Sequence, residues 1–318
     1  MSDRTVDRFT ARTWSHHDFD AVALAAAKRD QALTVSVVIP ALDEEATVGT
    51  VARTFVDELG HRIGLVDDVV VVDAGSTDRT AAVARAAGAR VVRQDQVLPE
   101  LGTAPGKGEA LWKGLAATDS DLVCFVDADI VDISPRFVVG LLGPLLEDPE
   151  VRYVKATYDR PLDLGDQLRA TGGGRVTELL ARPVIDAFWP ELAWIAQPLS
   201  GEYAGRRDLL VSLPFVQGYG VELGLLVDTL AAHGADVIAQ VDLGRRVHVH
   251  QPLDALGRMA AEILHVAVDR LARQGRLVLT DPLARELLQP VRDLTGQLHL
   301  ERHPIAVTER PPLRDVLG

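Results

Sequence analysis

An α/β fold built on a parallel sheet is what this sequence predicts, and three features of its first 130 residues predict it. β-Branched runs recur at Val35-Ser-Val-Val-Ile39, Val69-Val-Val-Val72, Ala89-Arg-Val-Val92 and Val123-Cys-Phe-Val126. The segments between them carry apolar residues at helical spacing. The first two runs lead into turns rich in Asp, Glu, Gly and Ser. Strand and helix alternating at this spacing call for parallel strands joined by right-handed crossovers, a Rossmann-like doubly wound unit.

Each element follows in order. The first strand is stopped by Pro40, and the acidic turn Asp43-Glu44-Glu45 leads into a helix over about 46–58. The second strand runs through Asp73 into Gly75-Ser76-Thr77-Asp78, where Ser76 or Thr77 is placed to cap a helix starting near Arg79. A short third strand follows at 89–92, and Gly106-Lys107-Gly108 then opens another helix. No G-x-G-x-x-G follows the first strand, which argues against a classical dinucleotide site.

The most informative stretch is Val123-Cys-Phe-Val-Asp-Ala-Asp-Ile130. In an extended chain residues i and i+2 point the same way, so Asp127 and Asp129 emerge together at the strand's C-terminal end. Open α/β sheets place their ligands there. Neighbouring carboxylates repel unless a cation joins them, which suggests a divalent metal carrying a diphosphate. The competing reading is a strand ending in an Asx turn.

The second half is less regular. Gly172-Gly-Gly-Arg-Val-Thr-Glu178 is a Gly-rich turn opening a helix, suited to an anion through its backbone N–H groups and Arg175. A flexible loop with a solvated Arg is the alternative. Gln197-Pro-Leu-Ser-Gly-Glu-Tyr203 reads as a turn into a short element, and Gly218-Tyr-Gly-Val-Glu222 opens an apolar helix through about Ala232. Residues 239–250 read as a strand with Arg246, His248 and His250 on one face, aimed at something anionic or metallic. Pro252 ends it, residues 254–275 are helical, and the Pro- and charge-containing tail from Asp281 wraps the body or builds a subunit contact.

Composition narrows the function classes. A chain of 318 residues can bury a large core. Its net charge of −13 and pI of about 5.1, with no basic stripe, argue against nucleic acid as a partner. No apolar run approaches a membrane span and no signal-peptide pattern opens the chain. The sole cysteine, Cys124, allows no intrachain disulfide, which fits a reducing cytoplasm.

Together the motifs resemble one family. Val-Ile-Pro-Ala-Leu-Asp-Glu-Glu45, Asp73-Ala-Gly-Ser-Thr-Asp78, Pro105-Gly-Lys-Gly-Glu-Ala-Leu-Trp112 and Val126-Asp-Ala-Asp129 look like a GT-A glycosyltransferase fold. The segments at Ala170–Leu179, Gln197–Ala204 and Gln217–Glu222 are similar to the actinobacterial glucosyl-3-phosphoglycerate synthases of glycosyltransferase family 81. The likeness covers about residues 12–275, with a weaker echo at Glu309-Arg-Pro-Pro-Leu313. It implies an N-terminal extension (1–30), a Rossmann-like nucleotide-sugar subdomain (31–150), a mixed acceptor-binding subdomain (151–280) and a tail (281–318) at a possible dimer contact.

The resemblance also implies an activity: glucose moves, with retention, from UDP-glucose or GDP-glucose to 3-phosphoglycerate, with Mg²⁺ or Mn²⁺ as cofactor, in a cytoplasmic homodimer. Pro40, Ala41, Leu42, Glu44 and Ser76 would hold the nucleoside, and Lys107 the diphosphate region. Asp127 would face the sugar or ribose, while Asp129 and His248 would bind the metal. Gly174, Arg175, Thr177 and His250 would bind the acceptor, and Tyr219 and Glu222 the donor glucose. Leu199 would offer its carbonyl near the reacting carbon, and Arg246 would help neutralise the leaving group. Ala74 and His250 depart from the mycobacterial pattern, which has Ser and Asn there. A GDP-mannose-dependent synthase, a nucleotidyltransferase and a non-catalytic nucleotide-sugar sensor are the alternatives.

Overall fold

The computed structural model describes residues 3–159, 162–163, 168–169, 174–246, 253–293 and 295–317. Its strands are β1 (Thr13–Ser15), β2 (Val35–Ala41), β3 (Asp68–Asp73), β4 (Arg90–Arg93), β5 (Leu122–Phe125), β6 (Tyr153–Asp159), β7 (Leu162–Asp163), β8 (Leu168–Arg169), β9 (Tyr203–Arg206), β10 (Phe215–Val216), β11 (Ile238–Arg245), β12 (Glu286–Arg292), β13 (Leu298–Pro304) and β14 (Glu309–Arg310). Eight of them form one sheet in the order β1-β11-β6-β9-β5-β2-β3-β4. The expected parallel unit is its right-hand half, where β2 pairs in parallel with both β3 and β5, and β3 with β4.

The sheet is mixed because of one strand. β9 runs antiparallel to both β5 and β6 and sits between them. Its reversal delivers the residues before it, Ser200–Glu202, to the edge where β5 and β6 end. The N-terminal extension adds β1 as the edge strand, parallel to β11.

Two apolar layers cover the sheet faces, and each draws on both sides of residue 150. One contains Val37, Ile39, Val71 and Cys124 with the helix Arg136–Glu147. The other contains Val38, Val72, Val123 and Phe125 with the helices Lys107–Ala116 and Val221–His233. The strands are thus apolar on both faces, as continuous β-branched runs require. Each fully buried Val or Leu contributes roughly 1.5–3 kcal/mol before chain entropy is counted.

Three local expectations differ. Pro40 does not stop the first strand, which continues to Ala41. The β2–β5 register ends at Val38 and Phe125, with Val126 N still donating to the Val38 carbonyl at 3.1 Å, whereas β2 stays paired with β3 through Pro40 and Ala41. The helix expected at 46–58 is α-helical over Val48–Arg53 and continues in wider π-helical turns over Thr54–Ile63. The helix Thr80–Ala86 is not capped by Ser76 or Thr77: Asp78 Oδ1 accepts from Thr80 N at 2.8 Å. Those two residues are engaged elsewhere, as the site explains.

Candidate active site

The C-terminal ends of β2 and β3 lie side by side, with Ala41 opposite Asp73. The turns beyond them are stitched together. Ser76 Oγ accepts from Asp43 N at 3.0 Å, and Asp43 Oδ1 accepts from Thr77 N at 2.7 Å. Glu44 N donates to Thr80 Oγ1 at 2.7 Å, and Glu45 N to Asp78 Oδ2 at 3.1 Å. Asp43 takes a left-handed φ of 55°, which a short polar side chain tolerates. This rim carries Pro40, Ala41, Leu42 and Glu44. Burial, and then the charges of Asp129 and Asp127, push the Glu44 carboxyl up.

Two glycines aim Lys107. A Cβ on Gly106 would lie 2.2 Å from the Gln217 carbonyl oxygen, and one on Gly108 1.7 Å from that of Val216. Only glycine lets the helix start lie flat on this backbone. Lys107 Nζ then reaches Asp127 Oδ1 at 2.6 Å and Glu222 Oε1 at 3.1 Å. Burial opposes charge on the lysine, but Asp127 and Glu222 outweigh it and hold its pKa above the ordinary range. Burial likewise works against a charged Asp127, yet Lys107 and Arg246 keep its carboxyl well below the usual carboxylate range.

Arg246, 1% exposed, is the hub of the opposite wall. Its Nη2 lies 3.1 Å from Asp129 and 3.4 Å from Asp127. Its Nη1 donates to the Tyr158 hydroxyl at 2.8 Å and to Glu202. The Tyr158 hydroxyl in turn donates to Glu202 Oε2 at 2.7 Å. Gly201 permits the close approach: a Cβ there would lie 2.2 Å from Asp127 Oδ2. Below, fully buried Lys155 donates to the Ser200 carbonyl at 2.6 Å and sits 4.8 Å over the Tyr203 ring. Its pKa is lowered to about 7, chiefly by burial, which Lys107 reinforces against Glu222.

Four carboxylates, Asp127, Asp129, Glu202 and Glu222, thus share two cations, Lys107 and Arg246. Burial and the Asp127 charge raise the Asp129 carboxyl, and its side chain remains 54% exposed at the mouth. This excess of hard oxygen donors suits Mg²⁺ or Mn²⁺. Among the described residues no group of three His, Cys, Asp or Glu side chains is placed to hold a metal ion by itself. His248, the second ligand expected, lies outside the described residues, as do His250 and the first two glycines of the Gly-rich turn.

Of the expected site residues, the structure brings together Lys107, Asp127, Asp129, Glu222 and Arg246. Gly174 and Thr177 line a cavity of about 310 Å³ with Tyr158, Asp159, Glu178, Gln197 and Asp242, joined to the cleft through Tyr158. Half-buried Arg175 follows at the start of that helix. Leu199 is half-buried in the turn before Gly201, and Tyr219 is 45% exposed, its N–H donating to Glu262 at 2.9 Å. Sequence reasoning missed Glu202, Tyr158 and Lys155. The Ser-Gly-Glu-Tyr segment carried a signal for Glu202, but only the reversed strand β9 shows where it goes.

Known proteins are similar to this chain in sequence and in fold. The sequence profile of Glycosyl transferase family 2 matches residues 36–163. A glucosyl-3-phosphoglycerate synthase of Petrotoga mobilis is 44% identical over 308 residues, 96% of this chain and 94% of that protein. The crystal structure of mannosyl-3-phosphoglycerate synthase from Rubrobacter xylanophilus aligns with a TM-score of 0.90 and 40% identity, covering 99% of this chain and 98% of that one. The Mycobacterium tuberculosis glucosyl-3-phosphoglycerate synthase in complex with Mn²⁺, UDP-glucose and phosphoglyceric acid aligns with a TM-score of 0.80 and 43% identity, covering 94% and 95%.

Proposed function

The chain belongs to the glucosyl-3-phosphoglycerate synthases, and on that premise we propose that its cleft moves glucose from a nucleoside diphosphate glucose to 3-phosphoglycerate. The observation that carries this reading is the convergence of Lys107, Asp127, Asp129, Glu222 and Arg246 at the sheet edge. In this reading the nucleoside lies along Pro40–Glu44. Lys107 and Arg246 face the diphosphate, where negative charge grows as the bond to the sugar breaks. A divalent cation held by Asp129, with His248 expected beside it, supplies further neutralisation when bound. Glu222, tied to Lys107, orients a sugar hydroxyl. Its engagement with an ammonium makes it a poor nucleophile, which supports same-face attack by the acceptor hydroxyl, its proton passing to the leaving phosphate. The Gly-rich turn, with Arg175 as its cation, takes the acceptor's carboxylate and phosphate; the adjoining cavity at Gly174 and Thr177, lined by Asp159, Glu178 and Asp242, supplies no positive side chain.

Three coarser features bear on where and how it works. Among the described residues no helix is long and apolar enough to cross a membrane. The lone buried Cys124 supports a cytoplasmic site. The exposed Leu288, Leu298 and Leu300 of the β12–β13 ribbon support a homodimer.

The experiment pairs UDP-glucose, GDP-glucose and GDP-mannose with and without 3-phosphoglycerate, in Mg²⁺ or Mn²⁺, and identifies products by mass spectrometry and NMR. The expected result is α-linked glucosyl-3-phosphoglycerate. The likeness to a mannosyl-3-phosphoglycerate synthase favours one second reading, transfer of mannose from GDP-mannose. Hexose transfer from neither sugar, or product formed without the acceptor, sinks both.

A further inference from the structure

The Glu309-Arg310 echo near the C-terminus has no part in the chemistry above, yet it lies two layers from Lys107. β14 pairs with β10 through Phe215–Arg310 and Val216–Glu309, and Gln217 N donates to the Thr308 carbonyl at 2.9 Å. The Gly106-Lys107-Gly108 turn rests on that same Val216–Gln217 backbone. Arg310 donates from Nε and Nη2, each at 2.7 Å, to the two oxygens of fully buried Glu109, two residues past Lys107. It also stacks 5.4 Å over Trp112 and reaches the Leu101 and Gly102 carbonyls at 2.9 and 3.1 Å, in the loop leading to Gly106. Glu309 grips the other side. It accepts from Arg270 at 2.9 Å and from Arg273, and Arg270 also holds Asp228 at 2.8 Å on the helix that begins at Val221–Glu222.

We infer that residues 307–313 form a strap that fixes the diphosphate end of the cleft, with Arg310 a positioning residue acting through Lys107. This rests on the reading of Lys107 as a diphosphate ligand. Without Arg310 the buried Glu109 carboxylate would keep Gln217 but no cation in contact, because nearby Lys113 is turned to the Val97, Leu98 and Gly102 carbonyls, a state costly enough to drive the helix start toward water. Lys107 would move with it, because the two residues share one helical turn. The acceptor side touches this network only through Tyr158, by way of Arg246 and Asp127, and would feel the change far less.

The test measures equilibrium binding of UDP with Mn²⁺, and of 3-phosphoglycerate, to the full chain carrying Arg310→Ala or Arg310→Lys, each alone and with Lys107→Ala. Arg310→Ala is expected to weaken UDP about tenfold and leave 3-phosphoglycerate within about twofold, with partial recovery in Arg310→Lys. In the Lys107→Ala background, Arg310→Ala is expected to add less than about twofold, because the two act as one unit. A folded Arg310→Ala chain with unaltered UDP affinity overturns the strap, and so do losses that multiply in the double variant. If Arg310→Ala does not fold, Arg310→Gln, which also removes the cation from Glu109, is read by the same criteria. Normal UDP binding by Lys107→Ala alone would instead remove Lys107 from the diphosphate, so the two failures are told apart.

Discussion

Two buried ionic clusters lie on the two ends of one helix turn, and they are built on opposite plans. At the strap, one carboxylate meets one guanidinium: Glu109 receives two N–H groups of Arg310 and a third from Gln217 at 3.0 Å. Arg310 spends further N–H groups on two carbonyls. In the cleft, four carboxylates divide two cations, and Arg246 Nε has no hydrogen-bond partner among the described residues. A matched, fully bonded pair locks a geometry. An overcrowded acidic cluster stores repulsion that a cation and a phosphate-bearing ligand can relieve. The first plan serves the fold, the second the reaction.

The largest expected effect tests the overcrowding directly. Asp129→Asn removes the most exposed carboxylate of the cleft and its repulsion with Asp127. We expect kcat at saturating metal to fall by about 10²–10³, the scale of losing a transition-state charge stabiliser. The thermal midpoint should stay or rise, where breaking the Arg310–Glu109 pair lowers it. Unchanged turnover would take Asp129 out of the site and end the contrast.

Glu222→Gln comes next. An amide can still hydrogen-bond a sugar hydroxyl, so transfer should remain measurable with a weakened donor KM. Abolished transfer, together with a hexosyl adduct found by mass spectrometry after a fluorinated donor sugar, would instead make a carboxylate the nucleophile.

The smallest effect concerns Lys155, which belongs to the cleft but pairs with a carbonyl. Its folded pKa of about 7 lies below the unfolded lysine value of about 10.4. Between these values the unfolded chain binds more protons, so this group makes stability rise with pH. The cost of charging Lys155 is fully present below pH 7 and fades toward pH 10. Lys155→Met should therefore gain most, or lose least, relative to the parent chain at pH 6, and the difference should shrink by pH 9–10. Denaturant melts across this range check it; a difference flat in pH would show that Lys155 does not titrate there.

Much of the site was legible because it is local. Asp127 and Asp129 do meet at one cation, Arg246, though not by strand alternation: β5 ends at Phe125 and Asp129 lies in the turn at 128–129 beyond it. Lys107 is marked by flanking glycines, and the β-branched runs announced the parallel half of the sheet. The assumption that a proline stops a strand failed at Pro40, where the neighbouring strand had already ended. Ser76 was expected at the nucleoside, and its hydroxyl accepts from Asp43 N instead of capping a helix.

By itself, then, the sequence determined what depends on near neighbours: strand periodicity, the carboxylate pair, the glycine-framed lysine and the acidic balance. The tertiary structure alone decided which distant groups meet. Glu202 joins Arg246 only because β9 enters the sheet reversed between β5 and β6. Arg310 reaches Glu109 across 201 residues only because the tail pairs with β10. Local preference fixes where a side chain points along its own strand or helix. Which partner it finds is set by burial and hydrogen bonding summed over the whole chain, and no short window of sequence contains that sum.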